Sequence, residues 1–170
     1  GTLSASAVTA YGVYYKIQQF AFFAAFGMNN AMIPVIAFNY GSGDKERVRA
    51  GIRWGMIDTL VIMGVCLVVL EVCASQIVGI FALTQQTLTF CTRAVRTIAL
   101  GYLFAGANIA YQGVFQALGR GVPSMVLCLV RQLLAALPLA WLFTLLPNPE
   151  VWCWAAFPVA EGIGLLVALV

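Results

Sequence analysis

Residues 5–40 are apolar for long enough to cross the hydrocarbon layer of a membrane, and stretches at about 52–75, 85–118, 123–146 and 151–170 repeat the pattern. About 20 consecutive apolar residues span that layer, roughly 30 Å thick, as an α-helix. Lipid offers no hydrogen-bond partner, so each crossing backbone must satisfy its own N–H and C=O groups, which a helix does. The expected fold is therefore all-α and integral to a membrane. It has five transmembrane helices in a single unit over residues 1–170.

Composition closes off the other classes. Of the residues, 62% are apolar and 9% charged, and mean hydropathy is +0.95. A soluble domain has about 45–50% and about 25%. A soluble globule, a disordered segment and a nucleic-acid binder are all excluded, and a net charge of +3 is too small to imply a polyanionic partner. With no histidine and no CxxC pair among Cys66, Cys73, Cys91, Cys128 and Cys153, there is no metal-ligand pattern and no expected cofactor. The cysteines read as small buried hydrophobes. The chain opens at Gly1 without a basic, cleavable leader and stops at Val170 inside an apolar run, so a longer polypeptide is expected.

The turns set the orientation. Asn39-Tyr40-Gly41-Ser42-Gly43-Asp44 is a turn sequence, and Asp44 is placed to cap a helix opening with Lys45, Glu46, Arg47, Arg49 and Arg53. Thr84 is a candidate cap for the third span. Gly119-Arg120-Gly121-Val122-Pro123-Ser124 forms the next turn, and Pro147-Asn148-Pro149 breaks the fourth span. Basic residues lie at the first turn and, through Arg120, at the turn two crossings later, whereas the 147–150 turn offers Glu150. The positive-inside rule therefore expects turns 41–49 and 119–122 in the cytoplasm of a multi-pass protein of the cell's plasma (inner) membrane.

An ionisable residue at bilayer depth costs about 2.5–3.5 kcal/mol on insertion scales. Arg131 and Glu161 both fall roughly 13–15 Å into consecutive antiparallel spans at 1.5 Å per residue. The expectation is a buried ion pair or shared network, against the alternative that each snorkels or pairs elsewhere. Arg93 and Arg96 share a face near the depth of Glu71, and Asp58 is expected to pair with a nearby basic side chain. Lys16 either snorkels or faces a cavity. Amides beside aromatics occupy the first span (Gln18, Gln19, Asn29, Asn30 among Tyr14, Tyr15, Phe20, Phe22, Phe23, Phe26) and the third (Tyr102, Asn108, Tyr111, Gln112, Gln116). That mixture suits a cavity for flat lipophilic cations, and equally suits interhelical hydrogen bonds with lipid-facing rings. No nucleophile–base set, metal spacing or phosphate loop is present, so the chain is not expected to be an enzyme.

The run Gly27…Pro34…Asn39-Tyr40-Gly41-Ser42-Gly43-Asp44 resembles the second helix and following turn of one half of the multidrug and toxic compound extrusion (MATE) transporters. The resemblance continues through Gln116-Ala117-Leu118-Gly119, Arg131-Gln132 with Pro138-Leu139, and Phe157-Pro158-Val159-Ala160-Glu161. The last two look like the C-terminal half of bacterial members. The resemblance implies helices 8–12 of a twelve-helix fold, the second six-helix lobe without its first helix. Two departures stand out. Ala24 replaces a proline that several C-terminal halves carry three residues before the glycine matching Gly27. The 85–118 span has no Asp or Glu, although family members coupling through this lobe use an acid there.

The resemblance implies export of lipophilic cationic drugs in exchange for Na⁺ or H⁺ by alternating access, with the coupling ion bound elsewhere in the full protein or, as the alternative, with Glu161 contributing. Expected partners are the lipid bilayer, the missing N-terminal lobe and small lipophilic cations, with no nucleic acid. The cavity candidates are Lys16, Gln18, Phe22, Asn30, Asn108 and Gln112, with Arg131 and Glu161 as a buried charge network. The alternatives are a flippase for lipid-linked saccharides, for which Lys16, Arg93 and Arg96 would supply phosphate contacts, and a non-transporting membrane subunit.

Overall fold

The computed structural model describes residues 5–81, 83–147 and 149–169, and nearly all of them are helical. Helix α1, Ala5–Gly41, is 37 residues long, about 55 Å at 1.5 Å per residue, and keeps Pro34 within it. It ends in a turn where Gly43 takes φ +77°, a conformation open to glycine because it has no Cβ. Asp44 then caps α2, Lys45–Gly79. Its Oδ1 accepts a 3.0 Å bond from the Arg47 backbone N–H, and its Oδ2 lies 3.2 Å from Arg47 Nε. The cap explains why α2 starts seven residues before the apolar stretch does, with Lys45, Arg47 and Arg49 in its first two turns.

The third stretch, expected as one span over 85–118, is broken. Helices α3, Gln85–Ala99, and α4, Tyr102–Ala117, meet at a 47° bend around Leu100-Gly101. At Gly101 the backbone presses on Pro158, and a Cβ added there would stand 2.8 Å from Pro158 Cα. Thr84 precedes α3 but its side chain accepts no bond from the first turn's backbone; its hydroxyl donates to Thr87 Oγ1 at 2.9 Å. Gly119 at φ +73° turns the chain into α5, Gly121–Leu129, which passes through a π-helical segment, Val130–Ala136, into α6, Leu137–Phe143. Pro138 lacks an N–H to donate and its ring crowds the carbonyl of Leu134, which accounts for the loosened turns just before it. Helix α7, Pro149–Ala168, contains Pro158. Asn148, at the centre of the expected break, lies outside the described residues.

Among the described residues, three helical stretches are long and apolar enough to cross a membrane alone: Val8–Gly41, Lys45–Gly79 and Gly121–Phe143. The bent pair α3–α4 is long and apolar enough when taken together, and Trp152–Ala168 of α7 is a shorter apolar helix. Large apolar side chains cover the outer surface, with Phe20 79% and Ile80 80% exposed. Such a surface is costly in water and ordinary in lipid.

Helix α4 is the centre, packed against α1, α2, α5 and α7. It gets that close with small residues: Gly106 lies on Met63, and Gly113 lies on the Asn29 amide, where any Cβ would collide. Met32, Ile36, Val114 and Ala117 make a second, smaller core towards one end. There the 42–44 turn and Leu118 border one depression with Tyr40, Lys45 and Arg49, so the two glycine turns share an end of the bundle.

Candidate functional site

Arg131 lies in the π-helical segment and faces Glu161, which sits one turn beyond Pro158 on α7. Arg131 Nη1 is 3.5 Å from Glu161 Oε2, with the side chains 5% and 18% exposed. Asn108, wholly buried on α4, completes the group. Its Nδ2 donates to Glu161 Oε2 and to the Glu161 backbone carbonyl, both at 2.9 Å. Gly164 makes room for the cluster, since a Cβ there would stand 3.1 Å from Asn108 Nδ2 and 3.3 Å from Arg131 Cγ. A buried pair of this kind survives only when its charges and remaining polar groups find partners. The pair is only partly supplied: Arg131 Nε and Nη1 are buried without a hydrogen bond among the described residues.

The pair borders a cavity of about 350 Å³. Its walls are aromatic: Tyr11, Tyr14, Tyr15, Phe22 and Phe26 from α1, Tyr102 from α4 and Phe157 from α7. The rings hold one another. Tyr14 and Phe157 have centroids 5.9 Å apart, and Phe22 meets Tyr102 edge-on at 5.8 Å. Gln18, Gln19 and Gln132 add amide groups, and Arg131 and Glu161 are its charged residues. The Tyr102 hydroxyl is also buried without a partner among the described residues. Such a space can hold a flat apolar body against ring faces and a polar group against the ion pair.

Of the six residues expected from the sequence to line a cavity, Gln18 and Phe22 border this one. Asn108 supports the ion pair from behind. Gln112, one turn further along α4, is buried with its Nε2 unpartnered among the described residues. Lys16 and Asn30 are exposed and do not border the cavity. The Lys16 ammonium instead stands 5.7 Å from the centre of the Phe81 ring, and Asn29 rather than Asn30 is the buried amide. Arg96 lies 4.0 Å from Glu71, while Arg93 and Asp58 are exposed without an ion pair among the described residues. Sequence reasoning missed Tyr11, Gln132 and Phe157 as walls. The adjacency of Gln132 to Arg131, and of Phe157 to Pro158 within α7, was the available signal.

The sequence model of the MatE family matches residues 1–142. The chain belongs to the MatE family. MATE proteins are transporters and not enzymes, and this chain is a multi-pass membrane protein of that family. The multidrug export protein MepA of Staphylococcus haemolyticus (strain JCSC1435) is 26% identical over 125 residues, covering 74% of this chain and 27% of that protein. MepA of Staphylococcus aureus (strain bovine RF122 / ET3-1) is 23% identical over 163 residues, 96% of this chain and 36% of the relative. A crystal structure of MATE in the bent conformation shares the fold, with a TM-score of 0.91 at 17% identity over 98% of this chain and 37% of that one. The chain thus spans about a third of the length of the relatives it matches. The MatE match ends in α6, so Glu161 lies beyond it whereas Arg131 lies within it.

Proposed function

We propose that this MATE chain forms most of the C-terminal lobe of a multidrug exporter, corresponding to helices 8–12 of twelve. The exporter moves lipophilic, cationic aromatic compounds out of the cell in exchange for Na⁺ or H⁺. The observation that carries the reading is the aromatic cavity set against a buried Arg131–Glu161–Asn108 cluster in a chain of this family. Ring faces attract a cation, and amides adapt to varied outlines, which is what a site of broad selectivity needs. A flippase for lipid-linked saccharides would call for a strongly basic cavity. Among the described residues, Arg131 is the one cation bordering this cavity and Glu161 opposes it, while Arg93 and Lys16 are exposed elsewhere.

The lobe sits in the bacterial plasma membrane with turns 41–49 and 119–122 in the cytoplasm, and rocks against an N-terminal lobe to open the path alternately to each side. Lys16 and Asn30, exposed on the lobe, are candidates for the surface it shares with that partner. In this reading the coupling ion binds in another part of the full-length protein. The test is ethidium movement in proteoliposomes holding the full-length protein, under an imposed Na⁺ gradient and then a pH gradient. Movement under one gradient is expected and names the ion. Silence under both with folded protein refutes the exporter. Expressed by itself in pump-deficient cells, the 170-residue chain is expected to give no efflux.

A further inference from the structure

The end of the bundle where the two glycine turns meet carries unbalanced positive charge. Lys45, Arg49 and Arg53 follow one another at four-residue spacing on α2 and so share a face of the helix, where like charges repel. Among the described residues the ion pairs are Arg47–Asp44, Arg96–Glu71 and Arg131–Glu161, which leaves Lys45 and Arg49 without an acid. These two border a depression of about 310 Å³ together with Tyr40, Gly43, Val48 and Leu118. The neighbouring cations do not border it. Arg47 is held by Asp44, the Arg53 guanidinium stands 5.9 Å from the centre of the Trp54 ring, and Arg120 is exposed on the second glycine turn.

The depression offers two kinds of chemistry. Lys45, Arg49 and the Tyr40 hydroxyl supply donors and two positive charges at its rim. Val48 and Leu118, both half-buried, supply an apolar floor that packs on the smaller core of Met32, Ile36, Val114 and Ala117. Phe38, 75% exposed, lies two residues before Tyr40, so the site stands where a lipid-covered surface gives way to the charged turn. A soluble anion would meet the donors and leave the floor wet, and an uncharged apolar compound would do the reverse. A zwitterionic phospholipid would bring its own cation against Lys45 and Arg49. We propose that the depression binds the phosphodiester headgroup of an anionic phospholipid, with Lys45 and Arg49 on the phosphate and Val48 and Leu118 against the first carbons of its acyl chains. The site is separate from the aromatic cavity, shares no lining residue with it, and does not depend on what that cavity carries.

The test is native mass spectrometry of the full-length protein in detergent micelles, with phosphatidylglycerol and phosphatidylcholine of identical acyl chains added at equal concentration. Phosphatidylglycerol is expected to bind about 25-fold tighter, each of the two cations contributing about fivefold. Lys45→Gln and Arg49→Gln are each expected to cut that preference about fivefold, and the double variant to bring it near one. Arg53→Gln and Arg120→Gln are expected to leave it unchanged. All four side chains are exposed, so folding should survive each change, and thermal unfolding followed by circular dichroism checks that it does. Glycerophosphoglycerol, the same headgroup without acyl chains, is expected not to displace the lipid. Displacement by it as effective as by intact phosphatidylglycerol would make the depression a site for soluble phosphodiesters and overturn the lipid assignment. Equal binding of the two lipids by the native protein, or a preference that falls equally whichever of the four cations is removed, would also overturn it and reduce the charges to a diffuse surface field.

Discussion

Replacing Glu161 by Gln removes one charge from the pair and leaves the Arg131 guanidinium buried with nothing opposite. At 3.5 Å and an effective dielectric constant of about 20, two unit charges attract by about 5 kcal/mol. Part of that offsets the cost of taking both groups out of water, so the whole amount is not stability. Breaking the pair from one side costs about 3–5 kcal/mol in comparable buried settings, because the remaining charge keeps its desolvation penalty and loses its partner. Asn108 adds to the loss, since the carboxylate that receives its 2.9 Å bond becomes a weaker, neutral acceptor. Arg131→Gln is expected to cost a similar amount for the mirror-image reason. The double variant, neutral on both sides, is expected to recover most of it. The two single losses together then far exceed that of the double variant, so the coupling in a double-mutant cycle should be at least about 4 kcal/mol. The assay is equilibrium unfolding of the four proteins in mixed micelles, followed by circular dichroism at 222 nm and by cysteine reactivity. Additive losses, with a coupling below about 0.5 kcal/mol, would mean the two charges do not depend on one another and would refute the pairing argument.

The glycine contacts support two further predictions. Gly101→Ala places a methyl 2.8 Å from the Pro158 Cα, a backbone atom that cannot rotate away. A loss of about 1–3 kcal/mol is expected, with α7 displaced from the α3–α4 bend, readable as a changed distance between spin labels on α4 and α7. Gly113→Ala drives a methyl into the Asn29 amide, a flexible side chain, so its loss should be largely recovered when combined with Asn29→Ala. Additive losses in unfolding assays would count against that contact. At the cavity, Phe22→Ala is expected to weaken dye binding several-fold by anisotropy, whereas Asn30→Ala leaves it within error, because only Phe22 borders the space. Equal effects would move the binding surface to the outer face of α1.

Much of the fold was legible because the bilayer turns it into a local question. An apolar stretch of sufficient length must become a helix, and the glycines at 43 and 119 mark where the chain reverses, each with a positive φ. Depth counting likewise placed Arg131 and Glu161 level with one another, because 1.5 Å per residue holds wherever a helix is regular. The amides were harder. Asn29 and Asn30 are neighbours in the sequence, and α1 buries the first against Gly113 and exposes the second. Both are equally polar, and nothing local distinguishes them. The face a helix presents is decided by what packs on it.

The same reason separates what the residues determined alone from what waited for the tertiary structure. Membrane residence, helical class, the positions of the turns and the level of the two buried charges follow from composition and spacing, which act on each segment independently. The bend at Leu100-Gly101 depends on Pro158, 57 residues away, standing against a glycine. The cavity depends on α1, α4, α7 and the π-helical segment leaving a gap that none of them encodes singly. Contacts between distant segments are properties of pairs, and a single sequence records the members of each pair without recording which ones meet.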